Sequence, residues 1–140
     1  MIKIRPYSAT ILALGGFILV SMGIYFVFLR PPLLPEDIRY MDSTSTSIGQ
    51  SLPKLWVWLQ KVFWVMGGFI FTTGLLTIFI AFTTFRTRRK GALSIAAITG
   101  ISSIGIMTMV NFLIGSDFRI ILLTFTIPWI LACILYRLHK

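Results

Sequence analysis

The sequence has few of the residues that carry metal binding and redox chemistry. Its 140 residues include one cysteine and one histidine, Cys133 and His139. A single cysteine excludes an intramolecular disulfide and a CxxC redox motif. A single histidine excludes bis-histidine haem ligation and a Cys/His metal site. We therefore expect no cofactor and no metal, and the sequence does not favour an enzyme.

Charge is also scarce, and acidic residues most of all. Charged residues make up 12% of the chain, with 4 acids against 13 Lys and Arg, and 56% of the residues are hydrophobic. An ordinary soluble domain has about 25% charged and 45–50% apolar residues. This composition excludes a soluble globular enzyme, a disordered chain and a disulfide-stapled secreted module. It predicts an integral membrane protein.

Four apolar runs are long enough to cross a bilayer, which takes roughly 20 residues per helix. They predict helices over residues 7–29, 53–85, 92–114 and 118–136. The first run is about 23 residues long, beyond the roughly 7–15 of a signal-peptide core, so we expect it to be retained. The predicted fold is an all-α, four-helix transmembrane bundle that forms a single domain over residues 1–140.

The distribution of Lys and Arg predicts the orientation of these helices, because cytoplasmic loops carry the excess of basic residues. One side of the predicted membrane holds eight cations. These are Lys3, Arg5, Arg86, Arg88, Arg89, Lys90, Arg137 and Lys140. The other side holds five cations and all four acids, a net charge of +1. The sequence therefore predicts a membrane protein with both termini in the cytoplasm and the loop between the first two helices outside.

The basic loop Arg86–Lys90 has a second possible role, since basic clusters beside a membrane attract anionic lipid headgroups. Topology is a sufficient explanation for Arg86, Arg88, Arg89 and Lys90. Nucleic-acid binding is not expected, because four charges between two helices offer little reach and no stacking aromatics.

The only sizeable loop, residues 30–52, is predicted to lie outside. Pro35 followed by Glu36 and Asp37 is typical of a helix start and predicts a short helix, Pro35–Met41. The Ser/Thr run over residues 43–47 predicts a turn.

Small residues predict where the helices pack closely. Gly67, Gly74 and Ala81 recur every seven residues in the second helix, and Gly16 and Gly23 lie on a comparable stripe of the first. The third helix is the richest in small residues, so we expect it to lie centrally in the bundle or at a subunit interface.

A weak polar cluster is predicted on the outer side around Asn111, Asp117, Arg119 and Lys61. One interpretation is a capped hairpin turn, with Asp117 or the outer loop paired to Arg119. The other is a pocket covered by residues 36–39, including Asp37, that binds a lipid headgroup or a zwitterionic ligand.

Three segments resemble those of small four-helix membrane proteins from bacteria whose activity is not established. They are residues 34–41 (LPEDIRYM), 62–76 (VFWVMGGFIFTTGLL) and 111–119 (NFLIGSDFR). The resemblance implies a bacterial inner-membrane location and a functional role for the outer loop, but no particular activity.

The function predicted from the sequence is that of a non-catalytic accessory or ligand- or lipid-binding membrane subunit. A small oligomeric channel or transporter is the alternative. The expected partners are membrane lipids and further copies of the chain or other membrane proteins.

Overall fold

The structure is a computed structural model that describes residues 5–138, with side chains from residue 7 onward. Lys3, His139 and Lys140 lie outside the described residues. The described chain is all-helical and contains no strand. Its helices are α1 (Arg5–Ile24, continued by a π-helical turn, Tyr25–Leu29), α2 (Pro35–Tyr40), α3 (Ser45–Ser51), α4 (Leu55–Ile80, continued by a π-helical turn, Ala81–Phe85), α5 (Ala92–Leu113) and α6 (Arg119–Leu138).

Four of these helices are long and apolar enough to cross a membrane, as the sequence predicts. They have 23, 31, 22 and 20 residues and mean hydropathies between 1.8 and 2.3. The second begins at Leu55 instead of residue 53, and the fourth continues to Leu138. Their connections define two ends of the bundle. The loop end holds residues 30–54 and 114–118, and the terminal end holds residues 86–91, the start of α1 and the end of α6.

Helices α1 and α4 pack with their backbones in close approach along the predicted glycine stripes. A Cβ on Gly74 would lie 2.6 Å from the backbone nitrogen of Val20 and 2.7 Å from the carbonyl oxygen of Gly16. A Cβ on Gly67 would lie 2.9 Å from the carbonyl oxygen of Gly23. Only glycine fits at such separations, so the prediction that these residues mediate helix packing is confirmed.

Helix α1 occupies the centre of the bundle because it packs more extensively than any other long helix, along α4 on one side and against α6 on another. Two adjacent glycines allow this: Gly16 faces α4, while Gly15 faces the ring of Trp129 on α6. The expectation that the third long helix is central is wrong. Its buried small residues at the terminal end, Ala92, Ala96 and Gly100, form a single stripe, and α5 packs mainly against α6 and less against α4. A subunit interface on α5 stays a prediction.

Trp129 is the largest side chain of the core and is 4% exposed. Its ring lies between Gly15 of α1 and Gly100 of α5, where a Cβ would come within 2.6 Å of ring atoms on either side. Close by in the core at the terminal end, Phe85 packs against Tyr136 with ring centroids 4.4 Å apart. The core toward the terminal end is therefore filled by three aromatic rings, those of Phe85, Trp129 and Tyr136, among small residues.

The loop contains two short helices instead of the one predicted. Helix α2 follows Leu34 as expected, but the Ser/Thr run expected to form a turn leads into α3. Thr44 is the reason, because its Oγ1 accepts a hydrogen bond from the backbone N–H of Ser47 at 3.2 Å. This is an N-cap, which satisfies one of the amide donors exposed at a helix start.

Candidate ligand-binding site

An ion pair anchors α2 to the end of α1. Arg30 Nη2 lies 3.2 Å from Asp37 Oδ2, and the two side chains are 10% and 21% exposed. The same carboxylate oxygen accepts the backbone N–H of Leu34 at 2.9 Å, so Asp37 also caps its own helix. Because little water reaches the pair, it is screened less than a surface ion pair.

Arg30 is held further by two aromatic rings. Its guanidinium carbon lies 3.6 Å from the centroid of the Phe63 ring on α4 and 5.5 Å from that of Phe26 on α1. A cation over an aromatic face is attracted by the ring quadrupole. Pro31 follows Arg30 and ends α1, and its carbonyl oxygen accepts Arg30 Nη1 at 2.9 Å. Arg30 therefore joins α1, α2 and α4 at one point.

Glu36, the other acidic residue of α2, is almost completely buried. It is 3% exposed, and its Oε1 accepts a hydrogen bond from Ser116 Oγ at 3.1 Å. Ser116 Oγ in turn accepts the backbone N–H of Phe118 at 3.1 Å, so this serine fixes the residue that directly precedes α6. The short chain of hydrogen bonds fastens α2 to the connection between α5 and α6.

Beneath α2 lies a cavity of about 1300 Å³. Its walls are apolar side chains from all four long helices. Helices α4 and α5 contact each other mainly along Ala92–Gly100, and the cavity lies beyond this contact, where the two helices separate. It is open rather than sealed, since the lining residue Phe69 is 72% exposed. Typical ligand pockets have about 300–1,000 Å³, so this cavity can hold a large apolar ligand.

The charged residues of the cavity are few and lie on α2 or beside it. Three of the lining residues are charged: Arg30, Glu36 and Asp37. The other polar lining residues are uncharged, and most of them donate a hydrogen bond to a backbone carbonyl of their own helix. Ser21 Oγ donates to Phe17 O, Thr73 Oγ1 to Phe69 O, Ser103 Oγ to Thr99 O, and Asn111 Nδ2 to Met107 O.

Two π-helical segments border the cavity. The turn Tyr25–Leu29 leads into Arg30, and the segment Ile101–Gly105 of α5 contains the lining residues Ser102 and Ser103. Such segments are rare and frequently occur at functional sites. Their position supports this cavity as the candidate site.

The structure brings together only part of the predicted polar cluster. Asn111 and Asp37 both line the cavity. Asp117 lies on the surface and pairs with Arg39 at 3.0 Å, both side chains more than half exposed. Lys61 is exposed, with its Nζ 3.8 Å from the centroid of the Trp64 ring.

Arg119 is likewise exposed and does not line the cavity. The expected ion pair between Asp117 and Arg119 is wrong, because α2 places Arg39 closer to the carboxylate. Arg30, the residue that sequence reasoning missed, directly follows the first apolar run and precedes two prolines. A cation fixed at a helix end by Pro31 and Pro32 is the signal that could have identified it.

At the terminal end, one member of the basic cluster is engaged within the bundle. Arg88 donates to the carbonyl oxygen of Tyr136, and its guanidinium carbon lies 4.3 Å from the centroid of that ring. Arg86, Arg89 and Lys90 are exposed. In the part of the chain that the structure describes, no group of three or more His, Cys, Asp or Glu side chains is arranged to hold a metal ion.

Comparison of the chain with models of protein families, with characterised proteins and with solved structures finds no match. The resemblance to small bacterial membrane proteins therefore stays a prediction. The geometry of the cavity and of its polar cap carries the functional argument.

Proposed function

We propose that the protein spans the inner membrane of a bacterium four times, with both termini in the cytoplasm. The four long apolar helices support insertion. So do the large apolar side chains on their outward faces, such as Phe28, Phe79 and Ile101, which are 65–76% exposed; exposed apolar area of this kind is costly in water. The excess of basic residues at the terminal end supports the orientation.

Cysteine labelling tests this orientation. With Cys133 replaced by serine, Thr46→Cys places a thiol at an exposed position of α3 and Thr87→Cys places one in the exposed basic loop. A membrane-impermeant maleimide should label Thr46→Cys in intact spheroplasts and Thr87→Cys only after permeabilisation. The opposite pattern would mean that the termini are outside.

We further propose that the protein is a non-catalytic membrane subunit that binds one amphipathic molecule in the cavity between α4 and α5. The observation that carries this proposal is an apolar space of about 1300 Å³ with its charged residues gathered under α2. In the proposed orientation, the apolar walls face hydrocarbon and the charged cap lies near the outer headgroups. The ligand would enter sideways from the outer leaflet, with its chain against the walls and its headgroup under α2.

Native mass spectrometry of the full chain, extracted in mild detergent, tests the binding. We expect a bound lipid-like molecule on the parent protein, and its loss from Ile106→Trp, which fills the cavity from α5. Met109→Trp is the matched control, because Met109 is an exposed residue of the same helix that does not line the cavity.

Equal occupancy of both variants would contradict a ligand in the cavity. A ligand-free homo-oligomer that carries a solute into liposomes would instead support the alternative, a small channel or transporter.

A further inference from the structure

The charges that line the cavity do not balance. Arg30 and Asp37 form an ion pair and neutralise each other. Glu36 takes part in neither ion pair found at the loop end of the described chain. Its one described partner is the neutral hydroxyl of Ser116. Burying a carboxylate is costly unless a partner compensates its charge, so Glu36 is the position in this cavity at which a cationic group on a ligand would be stabilised most.

The uncharged polar groups add to this bias toward acceptors. Ser21, Thr73 and Ser103 each donate their only hydroxyl hydrogen to a carbonyl oxygen of their own helix. A hydroxyl that has donated its hydrogen keeps only acceptor capacity. Asn111 directs one of its two amide hydrogens to a backbone carbonyl and so keeps a single donor beside its acceptor oxygen. A ligand that brings donors is therefore matched better than one that brings acceptors.

We infer that the ligand of this cavity is an amphipathic primary amine, whose ammonium group donates to the carboxylate of Glu36. This inference rests on the proposed function, since it names the headgroup of the molecule bound there. The ammonium would supply the cation that Glu36 lacks, and the apolar chain would follow the walls toward the terminal end. Hydrogen bonds between ionised groups are roughly twice as strong as those between neutral ones.

Two sources could provide this chemistry: a single-chain alkylamine and the ethanolamine headgroup of a phospholipid. Both present an N–H-bearing ammonium. The choline headgroup has the same charge but no N–H, so it cannot donate to Glu36. Its comparison with ethanolamine separates hydrogen bonding from charge alone.

Photoaffinity labelling of the full chain in phosphatidylcholine nanodiscs tests the inference. Three probes share one diazirine-bearing hexadecyl chain and differ only in their headgroup: a primary amine, an alcohol or a carboxylic acid. Peptide mass spectrometry locates the labelled residues. We expect the amine to label cavity residues such as Met66 and Met107 about tenfold more than the alcohol, the factor expected for one charge-assisted hydrogen bond.

Competition then distinguishes the two sources. If unlabelled phosphatidylethanolamine in the nanodisc displaces the amine probe and extra phosphatidylcholine does not, the phospholipid is the source. If only unlabelled hexadecylamine displaces it, the source is a single-chain amine. Equal displacement by ethanolamine and choline lipids would overturn donation of an N–H to Glu36.

Glu36→Gln tests the named residue, because glutamine keeps the size of the side chain and can still accept from Ser116. The amine-to-alcohol labelling ratio should fall from about ten to about one, while alcohol labelling stays unchanged. Asp117→Asn is the matched control, since it removes an exposed carboxylate at the same end, and it should leave the ratio at about ten. A ratio that stays near ten in Glu36→Gln would overturn the role of Glu36.

The comparison of probes on the parent protein needs no variant, so a folding defect cannot obscure it. Equal labelling of the cavity by amine and alcohol, or preference for the acid, would overturn the inference and leave the proposed binding function intact. Failure of all three probes to label the cavity would contradict the proposed function itself.

Discussion

Toward the terminal end, the long helices meet through small residues and three aromatic rings, whereas toward the loop end α4 and α5 separate around a cavity. Ala81, Ala96 and Ala132 are almost fully buried near the terminal end, and Trp129 fills the space between three helices. At the loop end, α4 and α5 are apart, and α2 is held over the cavity by Asp37, which pairs with Arg30, and by Glu36, which accepts from Ser116.

This difference shows how a small bundle can be both stable and open. In lipid, the hydrophobic effect does not drive apolar helices together, so their association depends on the dispersion contacts that close packing provides. The half that lacks such packing relies on a few polar links, and regions with few packed contacts open at lower free energy than a core. We therefore expect substitutions in the closed half to act globally and those in the open half to act locally.

The largest effect is expected for Trp129→Ala, which removes the ring between α1, α5 and α6. Truncating a buried aromatic side chain costs about 3–5 kcal/mol of the free energy of unfolding. Denaturant unfolding in mixed micelles measures this loss. Trp58→Ala is the control, because Trp58 is 61% exposed, and it should change stability by less than about 0.5 kcal/mol. Similar losses in both variants would remove the basis for a packed terminal half.

Gly74→Ile should have the second-largest effect, because the new side chain meets the backbone of α1. Overpacking of this kind costs roughly 1–3 kcal/mol, again measured by unfolding in micelles. The neighbouring stripe offers a control in Gly68→Ile, since a Cβ at Gly68 has no neighbour within 4 Å. If the two substitutions destabilise equally, close approach of α1 and α4 is not what makes Gly74 necessary.

Ser116→Ala should loosen the cap without unfolding the bundle. It removes the partner of Glu36 and leaves the Phe118 N–H without its acceptor, at a cost of about 1–3 kcal/mol for the buried groups. Hydrogen exchange at the amides of α2 should accelerate roughly tenfold or more, while amides around Trp129 keep their rates. Faster exchange in both regions would mean that the two halves unfold as one unit. Thr46→Ala, at an exposed position of α3, serves as the control.

Asp117→Asn should have the smallest effect. The Asp117–Arg39 pair is more than half exposed on both sides, and such pairs contribute about 0.2–1 kcal/mol that salt screens. The change in unfolding free energy should vanish at about 1 M salt. Asp37→Asn, which breaks the less exposed pair with Arg30, should cost more and keep most of its effect in salt. If the salt dependences were reversed, the two pairs would not differ in burial as the structure indicates.

The sequence predicted the four long helices well because the apolar runs and the prolines that interrupt them are local signals. It also predicted the glycine contact between α1 and α4, since a seven-residue repeat keeps its members on one helix face. It failed on the position of α5, because counting small residues does not reveal how many neighbours they face. It failed likewise on the partner of Asp117, since Arg39 is 78 residues away along the chain.

The sequence by itself determined that the protein has four long apolar helices, where each begins and ends within a few residues, and how unevenly its basic residues are distributed. Length, hydropathy and charge are properties of consecutive residues, so no folding is needed to see them. Only the tertiary structure decided which helix is central, that α4 and α5 separate around a cavity, and that Glu36 is buried beside it. Those features depend on how helices distant in sequence pack against one another, and Gly15, Gly16 and Trp129 acquire their roles only in that packing.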